Sequence, residues 1–141
     1  MIKIGLDNGL IIKTKKIIPE DSIPDYVELS GSYSTPDGAT WAYEVCYWRK
    51  CWNVRNMIME ILGAPEPGNG YYDVTPKQLV QIRDGIYNFL TGEDRWDGSG
   101  DSIWDFKDMI PTLAQNIVDI TWALGYLKEH PYAYMQFYDS Y

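Results

Sequence analysis

Arg49, Asn53, Asn56 and Glu60 stand at i, i+4, i+7 and i+11, a spacing that lines side chains up on one helix face. Lys50 and Arg55 flank them. Guanidinium forks beside carboxamide donors are suited to clamping an anion such as a phosphate or nucleotide. The same residues have an internal reading. Arg49 can pair with Asp7 or Asp139 and tie its helix to the rest of the fold, because a charge on an apolar helix needs a partner. The candidate binding residues are Arg49, Lys50, Asn53, Arg55, Asn56 and Asp7.

Other chemistry has less to work with. Cys46 and Cys51 are five apart and would diverge on a helix, so they read as buried, reduced thiols of a cytosolic protein. His130, the one histidine, stands before Pro131, where a helix end and its dipole account for it. No serine or cysteine sits in a nucleophile motif, and P-loop, dinucleotide and zinc spacings are missing. The loop from Gly92 to Asp101 is acidic and glycine-rich. Asp94, Asp97, Asp101, Asp105 and Asp108 offer hard oxygen atoms but lack the calcium-loop pattern. They read as a candidate acidic surface, with Asp101 as a helix N-cap. No catalytic residue, metal or cofactor is assigned.

The elements that must position these residues follow from periodicity. Residues 1–18 read as a β-hairpin turning at Asp7-Asn8-Gly9, with Lys13, Lys15 and Lys16 on a solvated edge. A short strand lies around Tyr26–Leu29, and Pro36-Asp37-Gly38 makes a turn. The first helix is expected from Tyr43 to Leu62, stopped by Gly63 and Pro65. Its apolar stripe is Tyr47, Cys51, Val54, Ile58 and Ile61. Thr75, Pro76 and Gln78 form a capping box that opens a second helix, ended by Gly92. A short helix spans Ser102 to Met109, and Pro111 either kinks one long helix or, the favoured reading, opens a new one, with a stripe of Leu113, Ile117, Ile120, Leu124 and Leu127 running to Lys128. The tail from Tyr132 to Tyr141 is too aromatic to dangle and lies extended on the domain, beside the N-terminal hairpin.

These elements predict one α+β domain over residues 1–141. It is mainly helical, with three to four helices packed on a small antiparallel β-hairpin or sheet and a docked aromatic tail. The net charge of −8 argues against direct binding of nucleic acid or of an anionic membrane. The charge is uneven. Residues 66–141 carry twelve acids and five bases, against eight and seven in residues 1–65. No apolar run reaches the ~20 residues that span a bilayer.

Three pieces of the chain are similar to a family of small phage-encoded proteins. They are Gly5-Leu6-Asp7, then Tyr47-Trp48-Arg49-Lys50 opening a helix, then the tail Phe137-Tyr138-Asp139-Ser140-Tyr141. Order and spacing match across nearly the whole chain. Many members continue with Ala-Asn-x-Ile-His where this chain has Cys51-Trp52-Asn53-Val54-Arg55, so an acid–base role for that histidine does not carry over. The resemblance implies a phage or prophage origin and action in the host cytoplasm. Together with the acidic second half it suggests a non-enzymatic accessory protein that binds a host protein. One version mimics DNA to inhibit a nucleic-acid-binding defence factor. The alternatives are a phosphate or small-molecule binder using Arg49, Lys50 and Arg55, and a homo-oligomeric structural protein built through tyrosine-rich faces. Oligomeric state is left open.

Overall fold

The computed structural model describes residues 6–36, 38–64, 70–97 and 105–140. In chain order the elements are β1 (Asp7–Thr14), β2 (Glu28–Thr35), β3 (Gly38–Arg49), α1 (Trp52–Leu62), β4 (Gly70–Val74), α2 (Pro76–Thr91), α3 (Phe106–Glu129) and β5 (Tyr134–Ser140). A single 3-10 turn, Glu20–Ser22, lies between β1 and β2. The strands form one antiparallel sheet in the order β2-β3-β1-β5-β4.

The α+β class holds, but the expected mainly helical body on a small hairpin does not. Helix takes 44% and strand 33% of the described residues, so the sheet is a full layer. Asp7-Asn8-Gly9 is no turn. It opens β1, the central strand, with β3 on one side and β5 on the other. Burial explains the error. Asn8, Leu10, Ile12 and Thr14 all point into the core, while Ile11 between them is also buried. With Gly9 and Ile11 buried beneath neighbours on the outer face as well, the middle of the strand loses the alternation that would identify it.

The second correction concerns residues 43–49, expected as helix and found as the second half of β3. Thr40, Trp41, Tyr43, Val45, Tyr47 and Trp48 are β-branched or aromatic and suit a pleated, packed surface. Lys50 ends the strand with φ 50, a left-handed conformation uncommon for a residue with a Cβ. Its N–H donates to the Leu6 carbonyl at 2.6 Å. Helix begins only at Trp52, so the Tyr47-Trp48-Arg49-Lys50 piece is strand and turn rather than a helix start.

The third correction is at Pro111, which lies inside one continuous helix instead of opening a new one. Lys107, Ile110, Pro111 and Thr112 are all exposed. The carbonyl that loses its partner to the proline therefore faces solvent, where the loss is tolerated. The expected helix start at Ser102 and the Asp101 cap lie outside the described residues. Asp105 takes the N-cap position of α3.

Local chemistry did set several ends. The Thr75 hydroxyl accepts from the Gln78 N–H at 3.1 Å, and the Thr75 N–H donates to Gln78 Oε1 at 3.0 Å. Gly63 and Gly92 close α1 and α2 in the left-handed region. The tail forms β5 against β1, from Lys13↔Tyr134 to Asp7↔Ser140.

All three helices contribute to the core on one face of the sheet. Val54, Ile58, Leu79, Ile82, Ile86, Leu113 and Ile120 meet Leu10, Ile12, Tyr43, Trp48 and Phe137 there. Trp96 sits edge-on to Phe89, with ring centres 5.3 Å apart, and 5.8 Å from Phe106, joining the ends of α2 and α3.

Candidate functional site

The expected helical stripe does not exist as one surface. Arg49 is an exposed strand residue, and Lys50 belongs to the turn that follows. Asn53 lies on α1 and is occupied. Its carboxamide donates to the Asp97 carbonyl and accepts from the Asp97 N–H, both at 2.8 Å. Such a two-way bond fixes the loop after α2.

Arg55 is ion-paired with Asp139. Nη2 lies 2.9 Å from Asp139 Oδ2 and Nε 3.4 Å from Oδ1, with the two side chains 7% and 0% exposed. Nη1 donates to Asn56 Oδ1 at 2.9 Å. Asn8 Nδ2 donates to the same Asp139 carboxylate at 2.7 Å. Asn8, Arg55 and Asp139 therefore join β1, α1 and β5 in one buried set, with the exposed Asn56 at its edge. An internal ion pair of the kind expected for this stretch is present on Arg55. A guanidinium enclosed and bonded in this way is not offered to a ligand.

Asp7 works on the other side of the sheet. Asp7, Gly9, Ile11 and Lys13 alternate with the core-facing residues of β1. Their cross-strand partners are Arg49, Tyr47, Glu44 and Ala42 on β3, and Ser140, Tyr138, Gln136 and Tyr134 on β5. This outer face also receives Tyr33 and Tyr71 from the edge strands. Tyr33, Tyr47, Tyr71 and Tyr134 are between 42% and 62% exposed, which makes the face solvent-facing and rich in aromatic rings.

The rings are held in place. The Tyr47 hydroxyl donates to Asp7 Oδ1 at 2.7 Å. Tyr138 crosses β1 above Gly9, where a Cβ would come within 2.7 Å of its Cζ, and donates to Glu44 Oε2 at 2.9 Å. Only glycine leaves room for that crossing. Tyr71 and Tyr138 have ring centres 6.1 Å apart. The Lys13 ammonium lies 5.5 Å from the Tyr33 ring centre and 5.1 Å from that of Tyr71, within cation–π range. Gln136 Nε2 donates to Asp73 Oδ1 at 2.9 Å. The hydrogen bond to Asp7, ahead of burial, pushes the Tyr47 phenol up to about 12. Burial, then the bond to Glu44, raises that of Tyr138. Burial raises the Glu44 carboxyl, and its bond from Tyr138 opposes the rise.

A second polar group lies between β3 and α3. Trp48 Nε1 donates to Asn116 Oδ1 at 2.9 Å, and Gln115 Nε2 donates to Asp119 Oδ1 at 3.1 Å. Burial raises the Asp119 carboxyl, with the Gln115 bond opposing it. Burial also raises both thiols, Cys51 to about 11. A thiol held in its neutral form is a poor nucleophile, so the packing role expected for Cys46 and Cys51 fits. Neither Asn116 nor Asp119 stood out in sequence, where the α3 stripe was read through its aliphatic residues alone.

The acidic residues are dispersed in their roles. The Asp94 N–H donates to the Asn88 carbonyl at 3.0 Å, and Asp97 is held by Asn53. The Asp105 carbonyl accepts from Asp108 and Met109, and Asp108 lies in the first turn of α3, where a negative charge suits the helix dipole. Asp101 lies outside the described residues. Among the described residues no cluster of metal-ligating side chains occurs, and no helix is long and apolar enough to cross a membrane. His130 Nδ1 lies 2.8 Å from the Tyr126 carbonyl at the end of α3.

No protein-family model, curated protein or solved structure matches this chain.

Proposed function

We propose that this chain is a non-enzymatic accessory protein of phage origin that binds a host protein in the host cytoplasm, and that the outer face of its sheet is the binding surface. The observation that carries this reading is the row of solvent-facing tyrosines, Tyr33, Tyr47, Tyr71 and Tyr134, on a rigid five-stranded sheet. Tyrosine supplies large amphipathic contact area and is enriched at protein interfaces. Rings already fixed by Asp7, Glu44 and Lys13 lose little freedom on binding. The face mixes charges of both signs, which suits a protein surface better than a polyanion. The phage origin rests on the three sequence motifs. A nucleic-acid-binding host protein is the narrower form of the reading, and it rests on the net charge of −8. The phosphate-clamp alternative loses ground because Arg55 is committed to Asp139.

The test compares the immobilised chain with its Tyr33→Ala/Tyr71→Ala/Tyr134→Ala variant in host lysate at low salt. A host protein retained by the first and lost by the second supports the reading. Equal retention, or none, removes it. Light scattering on both proteins covers the homo-oligomer alternative, which would show as a dimer or larger species that the triple variant dissolves.

A further inference from the structure

On the opposite side of β2 from the tyrosine face lies a groove of about 640 Å³. Its floor is apolar and fully packed from below: Ile18, Val27 and Tyr43 are 6%, 5% and 2% exposed. The Tyr43 hydroxyl accepts from the Ile18 N–H at 2.9 Å, which holds the floor in shape. Leu29 and Ile17 stand at the margin, 49% and 61% exposed. Glu20 and Asp25 line the groove as well, so its rim is acidic; Glu28 pairs with Glu44 and belongs to the other face.

The groove adjoins an unusual edge. Among the described residues β2 pairs with β3 alone and ends the sheet. Edge strands are normally guarded by charge or proline against further pairing, yet the run Leu29-Ser30-Gly31-Ser32-Tyr33-Ser34-Thr35 contains neither. The register slips between Leu29 and Gly31. Regular edge backbone therefore runs from Gly31 to Thr35, and the groove opens where it stops. A Cβ placed at Gly31 would meet nothing within 4 Å, so no side chain obstructs approach there. Lys15, the cation closest to the far end, is occupied by Thr35 and Thr40 at 3.3 and 3.2 Å.

We infer that β2 and this groove form a peptide-binding site that takes an extended segment with an aliphatic anchor flanked by lysine or arginine. The segment adds to the edge as a sixth strand along Gly31–Thr35. Past the slip at Ser30 its aliphatic side chain seats on Ile18, Val27 and Leu29, and its cations meet Glu20 and Asp25. Main-chain bonds supply the affinity of such an addition, and the pocket and rim supply its selectivity. A second copy of this chain fits less well, because it would bring the same acidic rim against itself. The inference does not rest on the tyrosine face, although the edge segment Gly31–Thr35 contains Tyr33.

The experiment is fluorescence anisotropy of the full chain with a labelled ten-residue peptide of alternating threonine and valine that ends in Lys-Ile-Arg-Lys. Two control peptides carry glutamate in place of the basic residues, or N-methyl groups at alternate backbone nitrogens. The parent peptide should bind, and each control should bind at least about tenfold more weakly, or ~1.4 kcal/mol. The Glu20→Lys/Asp25→Lys variant should lose a similar factor at unchanged Tm. No binding of the parent peptide overturns the inference. So does equal binding of the N-methylated peptide, since strand addition needs the backbone N–H groups. Sedimentation showing a dimer that the peptide does not dissociate, but that Leu29→Asp does, would assign the edge to a second copy instead.

Discussion

Arg55 on α1 and Asp139 on β5 meet at 2.9 Å inside the protein, with Asn8 of β1 sharing the carboxylate. Removing one partner leaves a buried charge uncompensated. Arg55→Met is therefore expected to cost about 3–5 kcal/mol of unfolding free energy in a urea titration. Arg55→Met/Asp139→Leu should regain part of that loss and not all of it, because Asn8 Nδ2 then has no carboxylate to donate to. A single-variant cost below about 1 kcal/mol would mean the pair is not buried in solution.

Gly9→Ala should destabilise by about 1–3 kcal/mol, the usual cost of forcing atoms into a packed place. The added methyl meets the ring of Tyr138, which must abandon Glu44 to make room. The same variant should change the near-ultraviolet circular dichroism of the tyrosines. Stability unchanged within about 0.5 kcal/mol would show that the ring does not lie over β1.

The Tyr47 phenol, held up to about 12 by Asp7, gives a prediction with a definite sign. The fold favours its neutral form. The stability it contributes is complete below the ordinary phenol value near 10 and is lost as pH rises through about 12. With twelve tyrosines in the chain, the signal must come from the difference between the absorbance titrations of the native chain and Tyr47→Phe. Asp7→Asn should return that component towards the ordinary value. A Tyr47 component already near 10 in the native chain would rule out the bond to Asp7.

Features set by adjacent residues were legible in the sequence. The Thr75–Gln78 box and the Gly63 and Gly92 stops depend on a few neighbouring side chains, and each lies where its chemistry requires. The tail was legible through its aromatic content, since Phe137 and Met135 had to be buried somewhere. The path of residues 38–49 was not. Tyr43, Val45, Cys46, Trp48 and Cys51 are all buried, and a strand packed this fully imitates a helix stripe over a short window. The candidate site was half legible for a related reason. The sequence signals that a cation near the middle of the chain needs an internal partner, and it offers Asp139. Arg55 reaches it because helix begins only after the left-handed turn at Lys50, which puts Arg55 in the first turn of α1. The tyrosine face was invisible as a surface, because Tyr33, Tyr47, Tyr71, Tyr134 and Tyr138 meet only once the strand order is known.

That order, β2-β3-β1-β5-β4, also bears on how the chain is made. Among the described residues β4 has no neighbour except β5, and β5 is synthesised after it, with α2 and α3 in between. On the ribosome, the β1–β3 ladder and the helices can form early, but the half-sheet waits with one flank of β1 unpaired. Closing it joins residues as far apart as Asn8 and Asp139, 131 positions along the chain. Closure over such a span is slow, so the unpaired flank of β1 is open to mispairing until the last strand docks.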